Sequence, residues 1–140
     1  MWIKKGGVVA ILLAGKLVGF FATDIMTKLE YTQYLKNGLN YYYQNHNPNT
    51  LVNVFMCLAE YSGDNDMLPD ISVPELFEFS YELDDNDLRL AYKEFITFPS
   101  SKSVENMILV IIMLYKGFGL TYKDFKQEII KNLTERVDKP

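Results

Sequence analysis

From residue 26 onward, apolar side chains return every three or four positions, the spacing that gathers them on one face of an α-helix. Leu29, Thr32, Leu35, Leu39, Tyr42 and His46 set the first such stripe. Thr27 precedes it with Glu30 three residues on, a pair able to satisfy two free amides at a helix start. "NHNPNT" then breaks the chain, because Pro48 and its asparagine neighbours favour a turn. The next stretch, "TLVNVFMCLAEYS", is apolar almost all round, which predicts a central helix. "GDNDMLPD" predicts a loop.

A second capping pair, Ser72 and Glu75, introduces a short helix, "VPELFEFSYE", with Pro74 tolerated in its first turn. Asp84 or Asp85 is placed to cap "NDLRLAYKEFITF", which has to stop before Pro99. Ser103 opens "VENMILVIIMLYK", the most apolar helix, and Gly117 is placed to close it in the left-handed region. Thr121 and Asp124 cap a last helix with a stripe of Phe125, Ile129, Leu133 and Val137. Strand-like alternation is scarce outside the N-terminus. The expectation is an all-α fold, a single compact domain of five or six helices over residues 26–140.

Residues 1–25 form a separate apolar segment, "MWIKKGGVVAILLAGKLVGFFATDI". Lys4 and Lys5 ahead of an apolar run suggest a signal sequence or an anchor. Ala22 is the one small residue at the end of the run, however, and Phe20 occupies the place of a second. A spanning helix needs about 20 apolar residues. This run has 17, and Lys16 interrupts it, at a cost of roughly 2.5–3.5 kcal/mol. Gly6, Gly7, Gly15 and Gly19 weaken a helix further. A hairpin of "VVAILL" and "KLVGFF" around Ala14-Gly15 is the alternative to a helix. Three roles stay open: an element packed on the domain or a partner chain, a membrane attachment through residues 1–22, or an extension foreign to the domain, with Met26 as a natural start of its own.

A chain of 140 residues buries roughly 68% of its unfolded surface, enough for a core without staples. With 49% apolar residues, ten tyrosines and nine phenylalanines, the composition is that of a folded protein. Cys57 has no second cysteine to pair with, so nothing points to an oxidising compartment, and a cytoplasmic protein is expected.

The net charge of −4 is spread unevenly. Residues 60–94 hold eleven acids against two bases, whereas the segments on either side carry a small excess of lysine and arginine. Such a field argues against nucleic-acid binding, which needs cations to replace phosphate counterions. It suits a basic protein instead, whose approach it would steer.

Enzyme chemistry finds little support in the residues. His46 has no nucleophile or orienting partner in a shared motif and fits a helix end, where a cation suits the dipole. Cys57 sits among apolar neighbours, where a thiol acts as a small hydrophobe. One histidine and one cysteine cannot assemble a usual zinc site. After Asp64 and Asp66 comes Leu68, with no glycine at the sixth position, and from Asp85 the sixth residue is Leu90, so neither acidic cluster fits a calcium loop. Gly117 and Gly119 lack the spacing of a phosphate-binding loop. The "NLT" at Asn132 matches a glycosylation sequon by pattern alone. Neither a cofactor nor a metal is expected, and the chain reads as a non-enzyme.

Two features suit recognition. Tyr41, Tyr42 and Tyr43 point about 100° apart on a helix, so at least one ring leaves the core. In "SVPELFEFSYELDDNDLRLAYKEF", residues 72–95, Glu75, Glu78, Glu82, Asp84, Asp85, Asp87 and Glu94 alternate with aromatic and aliphatic residues. Crowded like charges oppose folding. A solvated face with helix caps is the simpler account; the functional one is a docking surface with aromatic anchors and a carboxylate rim.

Within it, "YELDDNDLRLAYKEF", Tyr81 to Phe95, resembles a segment of the colicin D-type immunity proteins. "LTYKDF", Leu120 to Phe125, is similar to that family too, in the opposite chain order. These are small, acidic, helical bacterial proteins that block a nuclease toxin by covering its cationic active site. The resemblance implies that Asp84, Asp85 and Asp87 are contact residues. The expected function is a protein-binding inhibitor that neutralises a basic partner, with Glu75, Glu78, Tyr81, Glu82, Asp84, Asp85 and Asp87 as its contact set. The alternative is a membrane-associated accessory protein anchored by residues 1–22.

Overall fold

The computed structural model describes residues 2–5, 8–13, 16–22 and 27–138, with side chains from 27 to 135. Met26, the Ala14-Gly15 turn and the side chain of Val137 lie outside what is described. Three strands, β1 (Trp2–Lys5), β2 (Val8–Leu13) and β3 (Lys16–Ala22), precede six helices. The helices are α1 (Lys28–Asn45), α2 (Pro48–Asp64), α3 (Val73–Leu76), α4 (Asp85–Thr97), α5 (Ser101–Gly117) and α6 (Tyr122–Asp138). The helical body is all-α. Of the two readings of the N-terminal segment, its backbone follows the hairpin: β2 and β3 pair antiparallel from Leu13↔Lys16 to Val8↔Ala22, and β1 adds to the free edge of β2.

Helices that are apolar all round have to be surrounded. Accordingly α2 buries Leu51, Val52, Val54, Phe55, Met56 and Leu58, and α5 buries an unbroken run from Val110 to Tyr115. The other helices pack on these two with one face each. On α1 that face is Tyr31, Leu35, Leu39 and Tyr42. Leu29, expected in the stripe, is instead 78% exposed. Two residues of helix rotate a side chain by about 200°, so Leu29 and Tyr31 cannot share a face. The larger ring takes the core.

Asn37-Gly38 favours turns as a dipeptide, yet it lies inside α1. Its use there is close approach: a Cβ placed on Gly38 would stand 2.9 Å from Val54 Cγ2. Valine is stiff at χ1 and cannot swing aside. Gly38→Val is expected to lower the unfolding free energy by about 1–3 kcal/mol through overpacking, measured by urea denaturation. An unchanged midpoint would show that the two helices can separate at no cost.

Three of the expected caps form as read. Thr27 and Glu30 make a reciprocal capping box, Asp84 caps α4, and the Thr121 backbone and hydroxyl both donate to Asp124. Those two bonds hold the Asp124 carboxyl below the usual carboxylate range. Others shift. Ser72 stands at the start of α3 but its side chain makes no capping bond. α5 starts earlier than Ser103 because Ser100 is the N-cap; Ser103 occupies the third helical position and returns the bond, Ser100 N–H to Ser103 Oγ at 2.9 Å. Gly117 remains helical, and the left-handed residue is Gly119, with φ 78°.

α3 is also shorter than the expected helix through Glu82. The Lys116 ammonium of α5 donates to the Phe77 carbonyl at 2.6 Å and to the Phe79 carbonyl, oxygens that a continuing helix would need. Phe77 turns inward at this point, against Tyr122 at 5.3 Å and Phe125 at 5.4 Å. Residues 79–84 therefore run as an irregular strap between α3 and α4.

Candidate docking surface

The carboxylates of residues 75–94 divide into two groups. Asp84, Asp85 and Asp87 are engaged in holding the fold. Asp84 accepts from the amides of Asn86 at 2.9 Å and Asp87 at 3.1 Å, and Asp87 accepts from the amide of Asp84 at 2.8 Å. Negative charge here also suits the positive end of the helix dipole. Asp85 stands 2.8 Å from His46 Nε2, which joins the end of α1 to the start of α4. Burial first, and the Asp85 charge second, push the Tyr42 hydroxyl well above the usual tyrosine range.

Glu75, Glu78, Glu82 and Glu94 form the second group. All four are exposed, and among the described residues none has a salt-bridge or hydrogen-bond partner. Between them the strap presents Phe79, 48% exposed, and Tyr81, 61% exposed, with ring centroids 6.1 Å apart. Two adjacent rings left outside while Phe77 is taken inside make an amphipathic surface ringed by charge.

Placement of the rings depends on Lys116, the single cation that reaches the strap's backbone among the described residues. Lys116→Met keeps the stem and removes the donor. Amide hydrogen exchange is expected to speed up at residues 77–84 and to stay unchanged in α2 and α5. Uniform exchange in both proteins would mean that the strap is held by ring packing alone.

α4 has two differently charged flanks. Arg89 turns toward α1 and lies over the Tyr43 ring, 3.8 Å from its centroid, and the Tyr92 hydroxyl donates to the Thr32 carbonyl at 3.3 Å. Burial, partly offset by Arg89, leaves the Tyr43 hydroxyl pushed up to about 12. On the opposite flank Asp87, Leu90 and Glu94 border a groove of about 290 Å³. Its apolar surface comes from Leu83, Leu90, Ala91, Leu109 and Val110. Tyr81, Asn106 and the two carboxylates complete the lining.

No family model, curated protein or solved structure matches this chain.

Of the residues expected to form the contact set, Glu75, Glu78, Tyr81 and Glu82 stand outward on one connected stretch, and Asp84, Asp85 and Asp87 serve as caps and ties beside it. Glu94 belongs to the acidic surface read from the sequence but not to its contact set, and the α5 residues of the groove were not foreseen as part of the site. Asp87, Leu90 and Glu94 recur at helical spacing, which signals that they share a flank; nothing local signals that α5 closes the other side. The tyrosine triplet resolves into one exposed ring, Tyr41, one buried, Tyr42, and one half-buried under Arg89, Tyr43. His46 does sit at a helix end, as the left-handed C-cap of α1. Cys57 is half-buried on α2. Asp64 accepts a hydrogen bond from the Tyr31 hydroxyl, and the Asn132 amide turns toward α2, donating to Asn53 at 2.9 Å. Among the described residues, no three His, Cys, Asp or Glu side chains converge as metal ligands, and no single helix is long and apolar enough to cross a membrane.

Proposed function

We propose that this chain is a protein-binding inhibitor that docks a cationic partner, a bacterial immunity protein set against a nuclease toxin being the form that fits best. One observation carries the reading: exposed glutamates that have no cation of their own among the described residues flank two exposed aromatic rings. A surface of this kind has lost stability to repulsion without an intramolecular return, and a basic partner supplies the missing charge. Phe79 and Tyr81 act as anchors, since rings with few rotatable bonds lose little entropy on binding. Glu75, Glu78 and Glu82 stand in for substrate phosphates before the partner's lysines and arginines. Inhibition is then steric and electrostatic, with no chemistry by the inhibitor.

The test is a pull-down from the native host with the full chain, beside the Glu75→Lys, Glu78→Lys, Glu82→Lys variant. Both are washed at low and then high salt, and any retained protein is purified and assayed for nuclease activity with and without the chain. One basic protein, held by the wild type alone and inhibited by it, supports the proposal. Equal capture by both chains, or recovery of membrane components alone, sinks it and turns attention to residues 1–22.

A further inference from the structure

Resting on the docking reading above, we infer that the groove between the strap, α4 and α5 seats an arginine side chain of the cationic partner. Its shape and chemistry both select such a group. At about 290 Å³ it lies at the lower end of small-molecule sites. The floor of Leu83, Leu90, Leu109 and Val110 is apolar and suits a methylene stem. A neutral aliphatic side chain would leave the polar border unused. Glu94 at that border is exposed and has no partner among the described residues. Asp87 already accepts from the Asp84 amide, so Glu94 is the acceptor free to take both arms of a guanidinium.

A guanidinium is favoured over an ammonium for two reasons. Its planar fork matches a carboxylate with two parallel bonds, and Tyr81 brings an aromatic ring to the same groove. The chain's own arginine on α4 does not compete, because Arg89 is turned to the opposite flank, over Tyr43. Asp87 borders the groove and Glu82 stands in the chain between its lining residues Tyr81 and Leu83, so the field that attracts a cationic protein also favours its arginine here.

The experiment titrates full-length, methyl-labelled protein with capped arginine (N-acetyl-arginine methylamide), followed by NMR. Two control probes are capped norleucine, the stem without charge, and guanidinium chloride, the head without stem. Capped arginine is expected to shift the methyl signals of Leu83, Leu90, Leu109 and Val110 saturably, with a Kd on the order of millimolar. Neither control should saturate at the same concentrations. Glu94→Gln should weaken capped arginine by about threefold to fivefold. Leu90→Ser, at an exposed position that tolerates the change, should weaken it as well. Saturation by capped norleucine at the same concentration, shifts confined to other methyls, absence of saturation, or indifference to Glu94→Gln each overturns the assignment. The two readings fail separately: if the Glu75→Lys, Glu78→Lys, Glu82→Lys variant loses a basic partner that Glu94→Gln retains in full, the surface stands and the groove falls.

Discussion

Phe125→Ala should unfold with about 3–5 kcal/mol less free energy than the parent chain, a large part of the 5–15 kcal/mol typical of a domain. Phe125 is 0% exposed, and its ring meets Phe55 at 4.9 Å, Tyr115 at 5.2 Å and Phe77 at 5.4 Å. These contacts join α6 to both central helices and to the turn that leads into the strap. Removing the ring loses its transfer free energy and leaves a cavity that three aromatic neighbours, each fixed by its own helix or turn, cannot collapse to fill. Urea denaturation with an unchanged m-value would measure the loss directly. A change below about 1 kcal/mol would place the ring outside the core. Because Phe77 loses its inner support, the strap should also exchange amide hydrogen faster than in the parent.

Reversing Glu75, Glu78 and Glu82 to Lys should slow association with a cationic partner at least about tenfold at low salt. These three side chains are exposed, so stability should move by no more than about 0.5 kcal/mol. The difference in rate should shrink as salt is raised, since the screening length falls from about 8 Å at physiological ionic strength to about 3 Å at 1 M. Asp84→Ala is the informative control. It removes the N-cap of α4, which costs about 1 kcal/mol, and should leave the association rate close to that of the parent. If Asp84→Ala slows association as strongly as the triple reversal, the capping carboxylates are the contacts, as the resemblance of Tyr81 to Phe95 implies. If neither change alters the rate, the partner binds elsewhere.

The two outcomes separate charges that build the molecule from charges that face out of it. Both kinds sit within a few residues of each other, and in a list of acidic positions they look alike. Asp84 and Asp87 neutralise unpaired amides at a helix start, a bond made within three residues. The side chains of Glu78 and Glu82 make no such bond among the described residues and stand exposed.

The helices, most of their caps and the two central elements follow from sequence alone. Capping joins residues three apart, and a helix apolar on every side can only be central. That logic places Thr27 with Glu30, Asp84 before α4, Thr121 with Asp124, and α2 and α5 in the middle. It fails where a distant group intervenes. "VPELFEFSYE" reads as helix up to Glu82, but Lys116, 39 residues beyond Phe77, takes the carbonyl that would continue it. With that contact in place, Phe77 packs partly buried against the core while Phe79 and Tyr81 stay outside. The groove likewise needs Asn106, Leu109 and Val110 from α5 beside Leu90 and Glu94 from α4. Local hydrogen bonding and periodicity are written within a few positions of the chain, whereas the exposed rings and the groove arise from segments that meet only once the core has packed.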